Sequence, residues 1–285
     1  MTYARAVLTM QRVGNRISGR SMFWVWPQLL CVAATLVTIA IAALACAPSP
    51  EETDSPIALA EPRVAIIDQL YSLQPNDLFI SDVIQQLEAC GFSIDLYQGD
   101  EVTVDLYRQL AGYGYSLIIF RSHSGLLGSE EEMIKRTCLF TNEPYSETKH
   151  VTEQLTDQLA MARIDEHHPW VFGIGDEFVT RSMEGQFDHT VIIMMGCATL
   201  YLDDLAEAFI QKGASAYLGW DAAVGLGYVD QATPILIGNL CAKQMTIKKA
   251  VAETMAAVGS DPDYGAYLKC YPGESGNWTI RALIR

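Results

Sequence analysis

The chain has 285 residues, 50% of them hydrophobic and 9% aromatic, which is enough to bury a core of ordinary size and too apolar for a disordered chain. The four basic residues before Cys46 (Arg5, Arg12, Arg16 and Arg20) stand without an acid, so the formal net charge of −15 becomes 15 basic against 34 acidic residues, a net of −19, over the remainder. Such a surface repels phosphate backbones and anionic headgroups, which argues against nucleic acid as a partner and against peripheral membrane binding by charge.

From Met22 to Ala45 there is no charged residue, and the run from Leu29 to Ala45 has the length and apolar character of a helix that crosses a bilayer. The basic leader stays inside by the positive-inside rule, placing everything after Cys46 outside the cytoplasm. Ala43-Leu-Ala-Cys46 resembles the lipobox of bacterial lipoproteins, with Ala43 where the usual motif has Leu. That resemblance implies lipidation of Cys46; the alternative is an uncleaved transmembrane anchor. The expected organisation is a signal or anchor segment over 1–46, a polar spacer over 47–61 and one domain over 62–285, held at the cell membrane.

The first strand is expected over Pro62–Asp68, with a helix over Asp77–Cys90 closed by Gly91. A second strand (Phe92–Tyr97), a second helix (Val104–Leu110) and a third strand (Tyr115–Phe120) follow, the last running into Arg121-Ser-His-Ser-Gly125. This βαβαβ alternation implies an α/β domain with a mostly parallel sheet and helices on both faces. Between Leu126 and Met183 the pattern weakens: Phe140–Tyr145 reads as loop and Val151–Arg163 as a helix. Thr190–Met195 is an unbroken apolar strand ending at Gly196-Cys197. A helix over Asp203–Lys212, a strand over Ala216–Trp220 and helices over Gln231–Leu240 and Ile247–Val258 complete the pattern.

Cys90, Cys138, Cys197, Cys241 and Cys270 lie in this domain, an odd number without a C-x-x-C pair, so zinc-ribbon and thioredoxin motifs are absent and at least one thiol should be free. A Cys138/Cys270 or a Cys90/Cys241 bridge is compatible with the spacing. His150, His167 and His168 lie in polar, irregular sequence without His-x-x-x-His spacing and read as surface residues; no metal or cofactor is expected.

Binding and catalytic groups of open parallel sheets collect at the carboxyl ends of strands. His123 follows the third strand and Cys197 the fourth, so adjacent strands would bring imidazole and thiol to one edge. A thiol of ordinary pKa near about 8.5 is a poor nucleophile at neutral pH without a nearby base, and a histidine supplies one. Ser124, Gly125 and Gly196 are small enough for close approach by a substrate backbone, and their neighbourhood exposes N–H groups able to hold an oxyanion. The bland alternative is a buried cysteine and a loop histidine.

Leu117-Ile-Ile-Phe-Arg-Ser-His-Ser-Gly125 and Val191-Ile-Ile-Met-Met-Gly-Cys197 resemble the caspase-like cysteine peptidases, the clan of caspases, legumains, gingipains, clostripain and CHAT domains, with Ser124 in place of the usual Gly. Leu205–Trp220 is similar to the gingipain and CHAT pattern of a helix, Gly-Ala, and a strand ending near Trp; the order of elements follows the family over Arg63–Ala257. The resemblance implies a three-layer caspase-like fold, His123 as general base and acid, Cys197 as nucleophile, and the N–H groups of Ser124 or Gly125 and of Cys197 as oxyanion donors. It further implies a protein or peptide substrate and, by analogy with Arg- and Asn-specific relatives, a substrate pocket at Asp221 beside Trp220. The competing reading is a catalytically silent caspase-like module used for binding or scaffolding. Other α/β hydrolases and nucleotide binders fit poorly, since neither a Gly-x-Ser-x-Gly elbow nor a phosphate-binding glycine loop follows the first strand.

Overall fold

The computed structural model describes residues 62–127 and 135–283. The signal or anchor segment, Cys46 and the whole spacer lie outside the described residues. The elements in chain order are β1 (Arg63–Asp68), α1 (Asp77–Ala89), β2 (Ser93–Gln98), α2 (Val104–Gln109), β3 (Leu117–Arg121), β4 (Ser124–Leu127), β5 (Arg136–Pro144), α3 (Val151–Leu155), β6 (Leu159–Ala162), β7 (Val171–Ile174), β8 (Val191–Met194), α4 (Asp204–Gln211), β9 (Ala216–Trp220), α5 (Leu226–Leu240), α6 (Ile247–Val258), β10 (Leu268–Tyr271) and α7 (Ile280–Leu283). Among the described residues no helix is long and apolar enough to cross a membrane.

Strands β1, β3 and β8 are unbroken apolar runs because both their faces are covered. Val64, Ile66, Leu117, Ile119, Val191 and Ile193 join a core with the apolar faces of α1, α5 and α6, while Ala65, Ile67, Ile118, Phe120, Ile192 and Met194 join one with α2 and α4. The six strands lie in the order β10-β9-β8-β3-β1-β2, parallel except for β10, which pairs antiparallel with β9 at the edge. Local signals agree with this packing. Asn76 caps α1 by accepting from Phe79 N, and Gly213 behind α4 has φ 107° where a Cβ would stand 2.2 Å from the Phe187 carbonyl oxygen.

Between β3 and β8 the structure departs from the sequence expectation. A second sheet in the order β4-β5-β7-β6, antiparallel throughout, occupies this region. Phe140–Tyr145, expected as loop, falls largely within β5, and the helix expected over Val151–Arg163 is only α3 followed by β6. Asp157, with φ 57°, breaks the helical path and turns the chain so that Leu159–Ala162 pairs with β7. A Cys138/Cys270 bridge is ruled out by the same layout. Cys138 is buried with Phe140 and Ala162 on the second sheet, whereas Cys270 lies on β10 against the α1, α5 and α6 core. All five cysteines of the domain are free thiols.

One polar cluster crosses this apolar frame at the carboxyl edge. Arg121, the last residue of β3, is 1% exposed; its Nη1 donates to Asp68 Oδ1 at 2.8 Å, and its Nε and Nη2 donate to the two oxygens of Asp230 at 2.9 Å each. Nη2 also donates to the Gln74 carbonyl at 3.0 Å, and Asn76 donates to Asp230 Oδ2. The cluster ties β1, β3, the start of α1 and α5 together. Burial pushes the Asp68 carboxyl upward in pKa against the pull of Arg121, and its Oδ2 has no hydrogen-bond partner. Removing the cation would leave the buried Asp68 and the largely buried Asp230 carboxylates without their partner, so Arg121→Met should lower unfolding free energy by about 3–5 kcal/mol, read from urea denaturation.

Candidate active site

Strands β3 and β8 are neighbours, with Phe120 opposite Met194 as the last pair in register. The chain leaves β3 through Ser122-His123 and leaves β8 through Met195-Gly196-Cys197, and the two exits touch. Ser124 Oγ donates to the Cys197 carbonyl at 2.6 Å. A Cβ on Gly196 would stand 2.3 Å from Ser124 Oγ and 2.7 Å from the Ser122 carbonyl oxygen, so only glycine permits this approach.

The backbone of His123 is held at both ends. Its N–H donates to Gln69 Oε1 at 2.9 Å, and its carbonyl accepts from Phe140 N at 3.0 Å. Gln69 is itself locked to Asn142: its Nε2 donates to Asn142 Oδ1, while Asn142 Nδ2 returns a bond to the Gln69 carbonyl and another to that of Gly99. The imidazole tilts against Phe140, ring centres 6.0 Å apart. Burial, then the charges of His168 and Arg121, push its pKa down to about 4, which keeps the ring neutral at physiological pH. His168, expected at the surface, is only partly exposed and pairs through Nδ1 with Asp165 at 2.7 Å.

Cys197 sits at the start of a turn whose next residue, Ala198, has φ 54°, a left-handed conformation that favours glycine. Strand β9 holds this turn. Leu200 N donates to the Trp220 carbonyl, Tyr217 OH to the Thr199 carbonyl and Trp220 N to Thr199 Oγ1, and a Cβ on Gly219 would lie 2.6 Å from that same Oγ1. The Gly-Trp ending of β9 therefore serves the cysteine turn. The thiol faces the backbone of Val224, donating to its carbonyl at 3.4 Å and accepting from its N–H at 3.5 Å. Asp261 holds the segment before α5 by accepting from Gly225 N at 2.8 Å. Burial, which outweighs the Val224 N–H, and the Asp261 charge raise the pKa of the thiol. Among the described residues no hydrogen bond reaches the His123 ring: the two strand exits meet, while the imidazole packs on Phe140 and the thiol on Val224.

The register separates the backbone donors. Phe140 N donates to the His123 carbonyl, so by antiparallel alternation Ser124 opposite Leu139 directs its N–H away from β5, while Gly125 opposite Cys138 falls in the next bonded pair. Gly125 is committed to the sheet, and among the described residues the Ser124 and Cys197 N–H groups have no backbone acceptor.

The residues expected to line a pocket are placed differently. Trp220 is 2% exposed and packs on Tyr228 in the core, so it forms no open wall. Asp221 has both carboxylate oxygens engaged, Oδ1 by Tyr267 N at 2.8 Å and Oδ2 by Lys269 Nζ at 2.8 Å. Gln69, Asn142, Val224 and Asp261 escaped the sequence reading. Gln69 alone carried a signal, since it follows the carboxyl end of β1 as His123 follows that of β3. Comparison with protein-family models gives no match to this chain, and comparison with curated proteins gives none either.

Two outcomes follow from this geometry. Gly196→Ala should destabilise the fold by about 1–3 kcal/mol in chemical denaturation, because the added methyl overlaps the Ser122–Ser124 segment. Neutral burial of His123 gives a folded pKa below the unfolded value near about 6.5, so the unfolded chain takes up the proton first as pH falls. The stability this contributes is complete above pH about 6.5 and is lost as pH falls toward about 4. The loss should be on the order of 2–3 kcal/mol and absent from His123→Gln, measured by urea denaturation across that range.

Proposed function

We propose that the chain is a cysteine endopeptidase of caspase-like type, tethered by its N-terminal segment with the domain outside the cytoplasm, and acting on protein or peptide substrates. The observation that carries this reading is the contact of the two strand exits, Ser124 Oγ on the Cys197 carbonyl at 2.6 Å across Gly196. It supports a histidine and a cysteine working above one edge of a mostly parallel sheet. The left-handed Ala198 supports it further: it is one of five non-glycine residues with positive φ among the described residues and it directly follows Cys197, and strained backbone recurs at functional turns.

The chemistry these residues would perform is acyl transfer. His123 takes the Cys197 proton, and the thiolate attacks the scissile carbonyl, whose developing oxyanion is held by the N–H groups of Ser124 and Cys197. Collapse expels the amine with the proton from His123 and leaves a thioester on Cys197. Water, deprotonated by His123, then attacks the thioester, releases the carboxylic acid and restores the thiol. For this sequence to begin, the thiol must leave Val224. Substrate binding has to displace a backbone contact that Asp261 supports. Basic side chains remain a reading of the pocket only if they displace Lys269 from Asp221.

The silent-module reading is favoured by one observation, the satisfaction of the Cys197 thiol by the Val224 backbone with no bond to the imidazole. Peptide hydrolysis by the full chain separates the two. Cys197→Ala should abolish hydrolysis and leave the thermal midpoint nearly unchanged, and His123→Ala should reduce the rate by about a hundredfold or more. A full chain that hydrolyses no member of a broad peptide library, with a Cys197 thiol unreactive toward electrophilic peptides, would leave the module reading in place.

A further inference from the structure

Helices α1 and α5 run side by side in the same direction. Asn76 before α1 bonds Asp230 in the first turns of α5, and two to three turns further along a Cβ on Gly238 would stand 3.3 Å from Gln86 Oε1. Gly238 leaves room for that close approach, one turn before both helices end. They end together on cysteines: Cys90 caps α1 and Cys241 caps α5, their amides bonded to the Leu87 and Ile237 carbonyls. Both side chains belong to the same apolar cluster, Cys241 buried at 4% exposure and Cys90 partly open to solvent. Cys90 follows Gln86 by four residues and Cys241 follows Gly238 by three, so both thiols lie at the same end of the helix pair; burial first, and the Cys90 thiol after it, raise the pKa of Cys241. Arg281 of α7 donates to the Cys90 carbonyl at 3.1 Å, and its charge acts on the Cys241 thiol in the opposite sense.

We infer that Cys90 and Cys241 form a redox pair that closes to a disulfide bond linking the carboxyl ends of α1 and α5. Its partial exposure, beside a buried Cys241, makes Cys90 the point of entry. Its thiolate attacks a disulfide oxidant, releasing one thiol and forming a mixed disulfide; the Cys241 thiolate then attacks the Cys90 sulfur and releases the second thiol. Two protein thiols and one external disulfide become one protein disulfide and two external thiols. The closed form joins residues 151 positions apart and restricts the unfolded chain accordingly. It fastens the helix pair whose other end holds Arg121 through Asp230. This inference is independent of the peptidase reading, since it uses neither His123 nor Cys197.

The test is oxidation of the folded full chain with glutathione disulfide, alkylation of remaining thiols, and peptide mapping. A peptide cross-linked through Cys90 and Cys241, with a thermal midpoint several degrees higher that reverts on reduction, is the expected result. Cys90→Ser should remove both the cross-link and the shift; Cys241→Ser, if it folds, should trap a mixed disulfide on Cys90. Recovery of Cys90 as a stable glutathione adduct beside free Cys241 in the wild-type protein would overturn the inference, as would both thiols alkylated separately after oxidation of a protein shown to be folded.

Discussion

Arg121 places a full positive charge at the carboxyl edge of β3 with 1% of its surface in contact with solvent. Taking a guanidinium out of water costs several kcal/mol unless its donors are met, and here Asp68, both oxygens of Asp230 and the Gln74 carbonyl meet them. These partners come from β1, the segment before α1, and α5. The position of α5 over the sheet and the direction of the chain leaving β1 are therefore fixed by one side chain. Two residues further on is His123, whose amide is held by Gln69, itself the neighbour of Asp68. The histidine thus inherits its place from a charge cluster it does not touch through hydrogen bonds.

The other half of the site is arranged by packing and hydrogen bonds without buried ion pairs. Gly196 lets β8 approach the Ser122–Ser124 segment, Gly219 lets β9 approach Thr199, and the Tyr217 hydroxyl and Trp220 N–H complete the hold on the cysteine turn. The thiol rests on Val224 with its pKa raised by burial, and the imidazole is kept neutral by the same cause. Both groups are in the uncharged forms that a dry environment favours.

Strands β1, β2, β3, β8 and β9 were legible as apolar or alternating runs bounded by turn residues, and helices α1 and α4 because Gly91 and Gly213 mark their ends, whereas β10, Leu-Lys-Cys-Tyr, carries no such pattern and was not legible as a strand. His123 and Cys197 were legible from their position after such strands. The second sheet was not. Its strands are short, and β5 buries Thr137 and Thr141, which bond Asp204 and the Phe172 carbonyl and so look polar in sequence while lying inside. The helical spacing of Val151, Leu155 and Leu159 concealed the break at Asp157. Arg121 and Asp230 were passed over because a charged residue at a strand end or on a helix reads as solvated; their pairing spans 109 residues and exists only in the folded chain. Val224 and Asp261 act through backbone placement, which leaves no motif.

The pairing of β3 with β8 encloses residues 122–190, the whole second sheet, as an excursion between two adjacent strands. Closing so long a loop carries an entropic cost that is recovered only when the parallel ladder and the cores on both sides of it form. His123 and Cys197 stand at the two mouths of that excursion, so their proximity is a product of high contact order. No local segment can nucleate it. During synthesis the histidine emerges well before the cysteine, and the two meet only once the intervening chain has found its own sheet. Whatever these residues do, they cannot do it in an unfinished chain.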